Sequence, residues 1–230
     1  MKLSLKLAFL GLSSVFIILL TACASAPEIR SDRYLIDDSV ITGDPCAAPC
    51  WRGITPGETA WEDAVISIQD DPELNNFEQR ADEETEARGA AWGREGGDRC
   101  CQMFSQDGET VSFIILQTTP ARTLGEAVEV HGEPDYLIGE PFTDTQALFS
   151  LFYTDVPMIL YVFVAGESGA ISETSEIVGF AYATPEDMQL IVDTNNLHAW
   201  EGYQGYSAYI DGEFEVTPRI TLTPSDGDES

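Results

Sequence analysis

Lysine is nearly missing from this 230-residue chain. It stands only at Lys2 and Lys6, and Lys plus Arg number 11 against 40 Asp and Glu, a formal charge of −29. A charge of that sign and size repels phosphate backbones, which excludes nucleic acid as a partner. Histidine is almost as scarce: with His131 and His198 alone, a multi-histidine metal site is impossible and a Ser-His-Asp arrangement would hang on one of the two. The nucleophile elbow GxSxG, HExxH, the P-loop, the dinucleotide Gly fingerprint and the EF-hand spacing are all absent. The acidic end, Asp226-Gly227-Asp228-Glu229, reads as a solvated chain end. Carboxylate pairs of the glycosidase kind are too numerous among the acids for any one to stand out. No cofactor and no metal is therefore expected. A hydrophobic share of 43% still supplies enough side chains to close a core for one domain or two small ones.

The longest apolar run, Leu7 to Leu20, is too short to span a bilayer comfortably. Preceded by Lys2 and Lys6, it has the charge order of a secretory signal. It ends in Leu20-Thr21-Ala22-Cys23, which resembles the bacterial lipobox. That resemblance implies cleavage after Ala22, a diacylglyceryl thioether on Cys23 and usually a third acyl chain on the new amino terminus, which together anchor a protein stably. Cleavage would leave nine arginines, no lysine and all the acids. Such a surface is pushed from anionic headgroups, so lipid and not charge must hold the chain at the membrane. Lysine depletion with excess acid also resembles salt-adapted proteins. Residues 23–45 show little apolar periodicity beyond Tyr34-Leu35-Ile36 and Val40-Ile41, and are expected to form a flexible tether.

Apart from Cys23, the cysteines are Cys46, Cys50, Cys100 and Cys101, an even number in a chain that leaves the cytoplasm, so disulfides are expected. Joining the adjacent Cys100 and Cys101 needs a strained eight-membered ring. The favoured pairing therefore runs from 46/50 to 100/101, each bond closing a loop of roughly 50 residues worth about 4 kcal/mol. Neighbouring strand residues point to opposite faces, so this needs a bulge or strand end near Cys100; without it, a local Cys46–Cys50 bond is the alternative. Thiol redox or zinc chemistry would call for a C-x-x-C spacing with histidine help, which is lacking.

Thr59-Ala60-Trp61-Glu62 and Thr123-Leu124-Gly125-Glu126 both fit the S/T-x-x-E capping box. Each opens an amphipathic helix, with Trp61, Ala64, Val65 and Ile68 on one apolar stripe and Leu124, Ala127, Val128 and His131 on the other. Asp71-Pro72 and Gly132-Glu133-Pro134 stop them. His131 falls at a helix C-terminus, where the dipole favours a cation. Cys100 to Phe104, the turn Gln106-Asp107-Gly108 and Thr110 to Gln117 read as a β-hairpin. Tyr136–Ile138, Ala147–Tyr153, Met158–Ala165 and Ile177–Ala183 read as an antiparallel meander, and Thr184-Pro185 starts a third helix that ends near Asn195. Ala81 to Gly97 reads as an acidic, Gly-rich insertion. His198 reads as a surface residue. Trp200, Tyr203, Tyr206 and Tyr209 either clamp the tail to the core or present stacked aromatics to a sugar or peptide, and Trp51 and Trp92 invite the same two readings.

The phrase Gly53-Ile54-Thr55-Pro56-Gly57-Glu58-Thr59 before a short helix, and the later helix closing in Gly132-Glu133-Pro134, resemble the small outer-membrane assembly lipoproteins and the related β-lactamase-inhibitor-like modules over about residues 51–165. The resemblance implies short helices against a three- or four-stranded antiparallel sheet, sometimes in tandem, working by protein contact. Asp71-Pro72 and the acidic insertion depart from that pattern. The expected fold is α+β, either one two-lobed unit or two tandem modules: signal 1–22, tether 23–45, first helix-plus-hairpin module 46–120, second helix-plus-meander module 121–197, and an aromatic segment with an acidic tail 198–230. The expected function is a non-catalytic envelope lipoprotein that offers a sheet face or edge to a protein partner. Small-ligand or carbohydrate capture is the second reading and acid-based hydrolysis the third.

Overall fold

The computed structural model describes residues 29–143, 145–166, 169–209 and 214–217. The signal segment, Cys23 and residues 24–28 lie outside them, as do 218–230. In chain order the elements are α1 (Ser39–Thr42), α2 (Trp61–Asp70), β1 (Leu74–Ala81), β2 (Arg88–Arg94), β3 (Arg99–Ser105), β4 (Phe113–Thr123), α3 (Leu124–His131), β5 (Tyr136–Thr143), β6 (Gln146–Tyr153), β7 (Met158–Val164), β8 (Glu176–Ala183), α4 (Pro185–Thr194) and β9 (His198–Ala199). One turn of 3-10 helix, Tyr206–Tyr209, follows. No helix of the described residues is long and apolar enough to cross a membrane.

All nine strands join one antiparallel sheet in the order β1-β2-β3-β4-β8-β7-β6-β5-β9. The sheet is continuous across the middle, where Phe113 to Gln117 pair with Ala183 to Gly179. The expected module boundary at 120/121 falls inside β4. The meander expected at 136–183 is present as β5 to β8. Two strands went unread: the "insertion" holds the end of β1 and all of β2, with only Asp82 to Ala87 between them.

Alternation along the strands builds two layers of packing. Leu151 joins the large core with Met103, Ile114, Leu116 and Phe149, which α2 covers through Trp61, Ala64, Val65 and Ile68, and α3 through Leu124 and Ala127. Its neighbour Phe152 faces the other way, into a smaller core with Ile159 and Ala181 under Met188 and Val192 of α4. The rest of that second face is left open.

The helix ends follow their chemistry unequally. Thr123 and Glu126 form the expected capping box of α3, and Gly132, with φ +83°, closes it. Thr184 caps α4, whose first residue is Pro185 and whose last is Thr194. The box expected at Thr59 does not form. Thr59 accepts from the Thr55 amide instead, the N-cap is Ala60, and the Trp61 amide donates to the Glu109 carbonyl at 2.7 Å. The orphan donor of α2 is thus met by the β3–β4 connection. In that connection Asp107 accepts from the amides of Glu109 and Thr110, and Gly108 takes φ +74°. The hairpin is present, with β4 starting at Phe113 because Val111 pairs back to Thr59.

Residues 29–45 are not a tether but a strap. Leu35 is buried, its amide donating to the Gln117 carbonyl and its carbonyl accepting from the Thr119 amide where β4 bulges, and Val40 is buried beneath α3. Arg30 pairs with Glu176, Arg33 pairs bidentately with Asp98, and Asp38 pairs with Arg122. His131 Nε2 donates to the Val40 carbonyl at 2.6 Å, so the end of α3 is tied to the strap.

At the join of the two strand runs, a Cβ on Gly179 would lie 2.6 Å from the Leu116 carbonyl oxygen. Gly179→Val is expected to lower the thermal midpoint by about 2–12 °C in calorimetry, in a single transition, as overpacking costs about 1–3 kcal/mol. An unchanged midpoint would mean the strands are not pressed this close.

Candidate interaction surface

The open face is built by register. Arg80, Gly89, Phe104 and Phe113 lie opposite one another across β1 to β4, and Glu78, Ala91, Gln102 and Ile115 form the next row. Because β2 offers only Gly89 and Ala91 here, the sheet surface sinks into a shallow trough of about 380 Å³ between β1 and β3. Phe104 is 40% exposed, and its ring lies 3.6 Å from where a Cβ of Gly89 would be. Phe104 and Phe113 sit with centroids 6.4 Å apart. Large exposed aromatics of this kind cost hydration and mark contact surfaces when they border a concavity.

The charges of the trough run against those of the chain. It is bordered by two arginines and one glutamate, Arg80, Arg99 and Glu78. Arg99 pairs with Glu78 at 2.8 Å. Arg30, Arg33, Arg52, Arg88 and Arg122 each have an acidic partner, and Arg94 donates to the Asp32 carbonyl. Among the described arginines, only Arg80 has neither. In so acidic a chain, that is the cation left to offer.

The other half of this face holds an apolar cleft of about 250 Å³ between Ile29, Phe142, Leu148 and Tyr161. Burial pushes the Tyr161 hydroxyl up to about 12, so it stays a neutral donor.

No family model, curated protein or solved structure matches this chain. The site therefore rests on its own geometry, and the residues singled out in the sequence fall as follows. Cys23 lies outside the described residues. The other cysteines pair locally, Cys46 with Cys50 and Cys100 with Cys101, which overturns the favoured crossed pairing. The bulge that pairing required is present: Trp92 faces Cys101 while Gly93 faces Arg99, so Cys100 is the extra residue. It buries both cysteines, and the two sulfurs meet each other. Among the described residues no group of three or more His, Cys, Asp and Glu is placed to hold a metal ion.

His198 is not on the surface. It is 3% exposed in β9, with its ring 4.5 Å from that of Phe214. The tail aromatics act as a clamp: Tyr206 and Tyr209 meet Phe149 edge-on at 5.5 and 6.0 Å, and Trp200 stacks on Tyr209. Trp51 and Trp92 are fully buried, with centroids 5.9 Å apart.

A polar hub had no signal in the sequence. The Asp37 side chain, 5% exposed, accepts from Trp51 Nε1 at 2.9 Å and from Ser39, and lies 4.0 Å from Arg52. Arg52 also pairs with Asp71 and Glu73. Burial opposes the Arg52 charge, yet Asp71 and then Glu73 raise its pKa overall. Asp98, bonded by Arg33, and Asp107, bonded by the Thr110 and Glu109 amides, are both held below the usual carboxylate range. Their contribution to stability is complete above the ordinary carboxylate pKa and is lost as pH falls through the lowered values.

Proposed function

We propose that the chain is a lipid-anchored, extracytoplasmic lipoprotein of the cell membrane or outer membrane that docks a protein partner on its open sheet face and catalyses no reaction. The anchor is Cys23, on the strength of Leu20-Thr21-Ala22-Cys23 after an export signal. In this reading the two strand runs, β1 to β4 after α2 and β5 to β8 after α3, are two copies of a helix-plus-sheet module of the kind found in small outer-membrane assembly lipoproteins and β-lactamase-inhibitor-like modules. What carries the docking reading is Arg80, the described arginine without an acid or carbonyl partner, beside the exposed ring of Phe104 over a floor of Gly89 and Ala91. Arginine and aromatic residues around a concavity are the usual anchors of binding energy. The partner this surface fits brings a carboxylate to Arg80 and an apolar side chain to Phe104.

A photoreactive side chain at Gln102 in the native envelope tests this. Its crosslinked partner should be lost about 30-fold in Arg80→Glu and in Phe104→Ala, as removal of an anchor worth about 2 kcal/mol predicts. The thermal midpoint should not move by more than about 2 °C, since neither side chain supports the core. Undiminished capture in both variants would overturn the docking site. Separately, Cys23→Ser should leave the chain either uncleaved or soluble, and a cleaved Cys23→Ser chain retained on membranes after a carbonate wash would overturn the anchor.

A further inference from the structure

We propose that the apolar cleft beside Ile29 receives a fatty acyl chain carried by Cys23 of the same molecule, an inference that rests on the lipoprotein reading above. Ile29, 6% exposed, forms one wall, facing Ile115, Phe142, Leu148, Tyr161 and Val178. Arg30 fixes this point: it pairs with Glu176 at 2.6 Å and lies 4.8 Å over the ring of Phe163. The described strap therefore begins on the open face, at the mouth of the cleft. Cys23 lies six residues before Ile29, at most about 22 Å at full stretch. An acyl chain starting within that distance is long enough to reach the cleft.

Shape and charge choose this occupant over the alternatives. The cleft holds about 250 Å³, below the roughly 300–1,000 Å³ of pockets that take compact ligands, and Gln117 and the Tyr161 hydroxyl are the polar side-chain groups in its lining. A flat bilayer is kept away because α4 stands on the same face over Phe152, Ile159 and Ala181. After cleavage, nine arginines against 40 acids also repel anionic headgroups. A single hydrocarbon chain passes both obstacles. Its terminal segment rests on Leu148 and Val178, and Phe142, 42% exposed, lies over it.

The test uses the natural, membrane-extracted protein carrying a benzophenone side chain in place of Phe142, reconstituted in phosphatidylcholine nanodiscs and irradiated. A second sample carries the probe in place of Ile66, exposed on α2 on the opposite side. Mass spectrometry first establishes whether the Cys23 peptide is acylated. The expected product joins the acylated Cys23 peptide to the peptide containing position 142, at least tenfold above the yield at position 66. An acylated Cys23 with no such product, or with phosphatidylcholine or another protein on position 142 instead, would overturn this proposal and leave the anchor standing. A Cys23 peptide without acyl mass would overturn both.

Discussion

Arg52→Ala is expected to be among the most damaging single substitutions, lowering stability by about 3 kcal/mol, or roughly 6–12 °C in thermal midpoint. Arg52 joins the strap to the end of α2 through Asp37, Asp71 and Glu73. Its removal leaves the enclosed carboxylate of Asp37 with hydrogen bonds but no cation. The loss should be visible locally before the whole chain melts, because a freed strap exposes the bonds after Arg30 and Arg33 to trypsin. Cleavage there is expected to speed up at least tenfold, while Arg80→Ala, with no acid to abandon, should behave as the parent chain. A midpoint within 2 °C of the parent would show that Leu35 and Val40 hold the strap by packing alone.

Trp92→Ala is expected to cost about 3–5 kcal/mol, the range for emptying a fully buried tryptophan site. The indole is completely enclosed, faces Cys101 across the β2–β3 pair and packs near Trp51. Its Nε1 finds no partner among the described residues, and a buried unpaired donor carries its own penalty. Trp92→Phe keeps an aromatic ring and removes that donor, so it should cost less than half as much. Urea denaturation monitored by circular dichroism distinguishes the two. Equal losses would show that the volume left empty does not set the cost at this position.

These two sites also show where the sequence was readable. Apolar residues at helical spacing located α2 and α3, and the Thr123/Glu126 box was correct because both its partners are local. The box at Thr59 failed for the opposite reason: the Trp61 amide is met by the carbonyl of Glu109, 48 positions away, which no local pattern contains. The meander was legible because β6 to β8 are buried on one face along their length and on both beneath α4, and read as β-branched and aromatic runs. β1 and β2 were missed because one side of each lies in the open trough, where Gly89, Ala91, Glu78 and Arg80 erase the alternation. The strap reads as a linker in the sequence because what fixes it, the buried Leu35 and Val40, the bonds of Leu35 to β4 and the ion pairs of Arg30, Arg33 and Asp38, all involve partners far off in the chain. The trough itself became visible only once register placed Arg80, Gly89 and Phe104 in one row.

The meeting of β4 with β8 sets the order in which this molecule can be assembled. The first four strands emerge and can pair among themselves while β8, some sixty residues further on, has yet to be made. Until it arrives, β4 presents Phe113-Ile114-Ile115-Leu116 along an unpaired edge, a template for adhesion to any neighbouring chain. Newly made molecules are therefore most vulnerable to clumping in the interval before the last long strand closes the gap, and a holdase acting in that interval would find its target on β4.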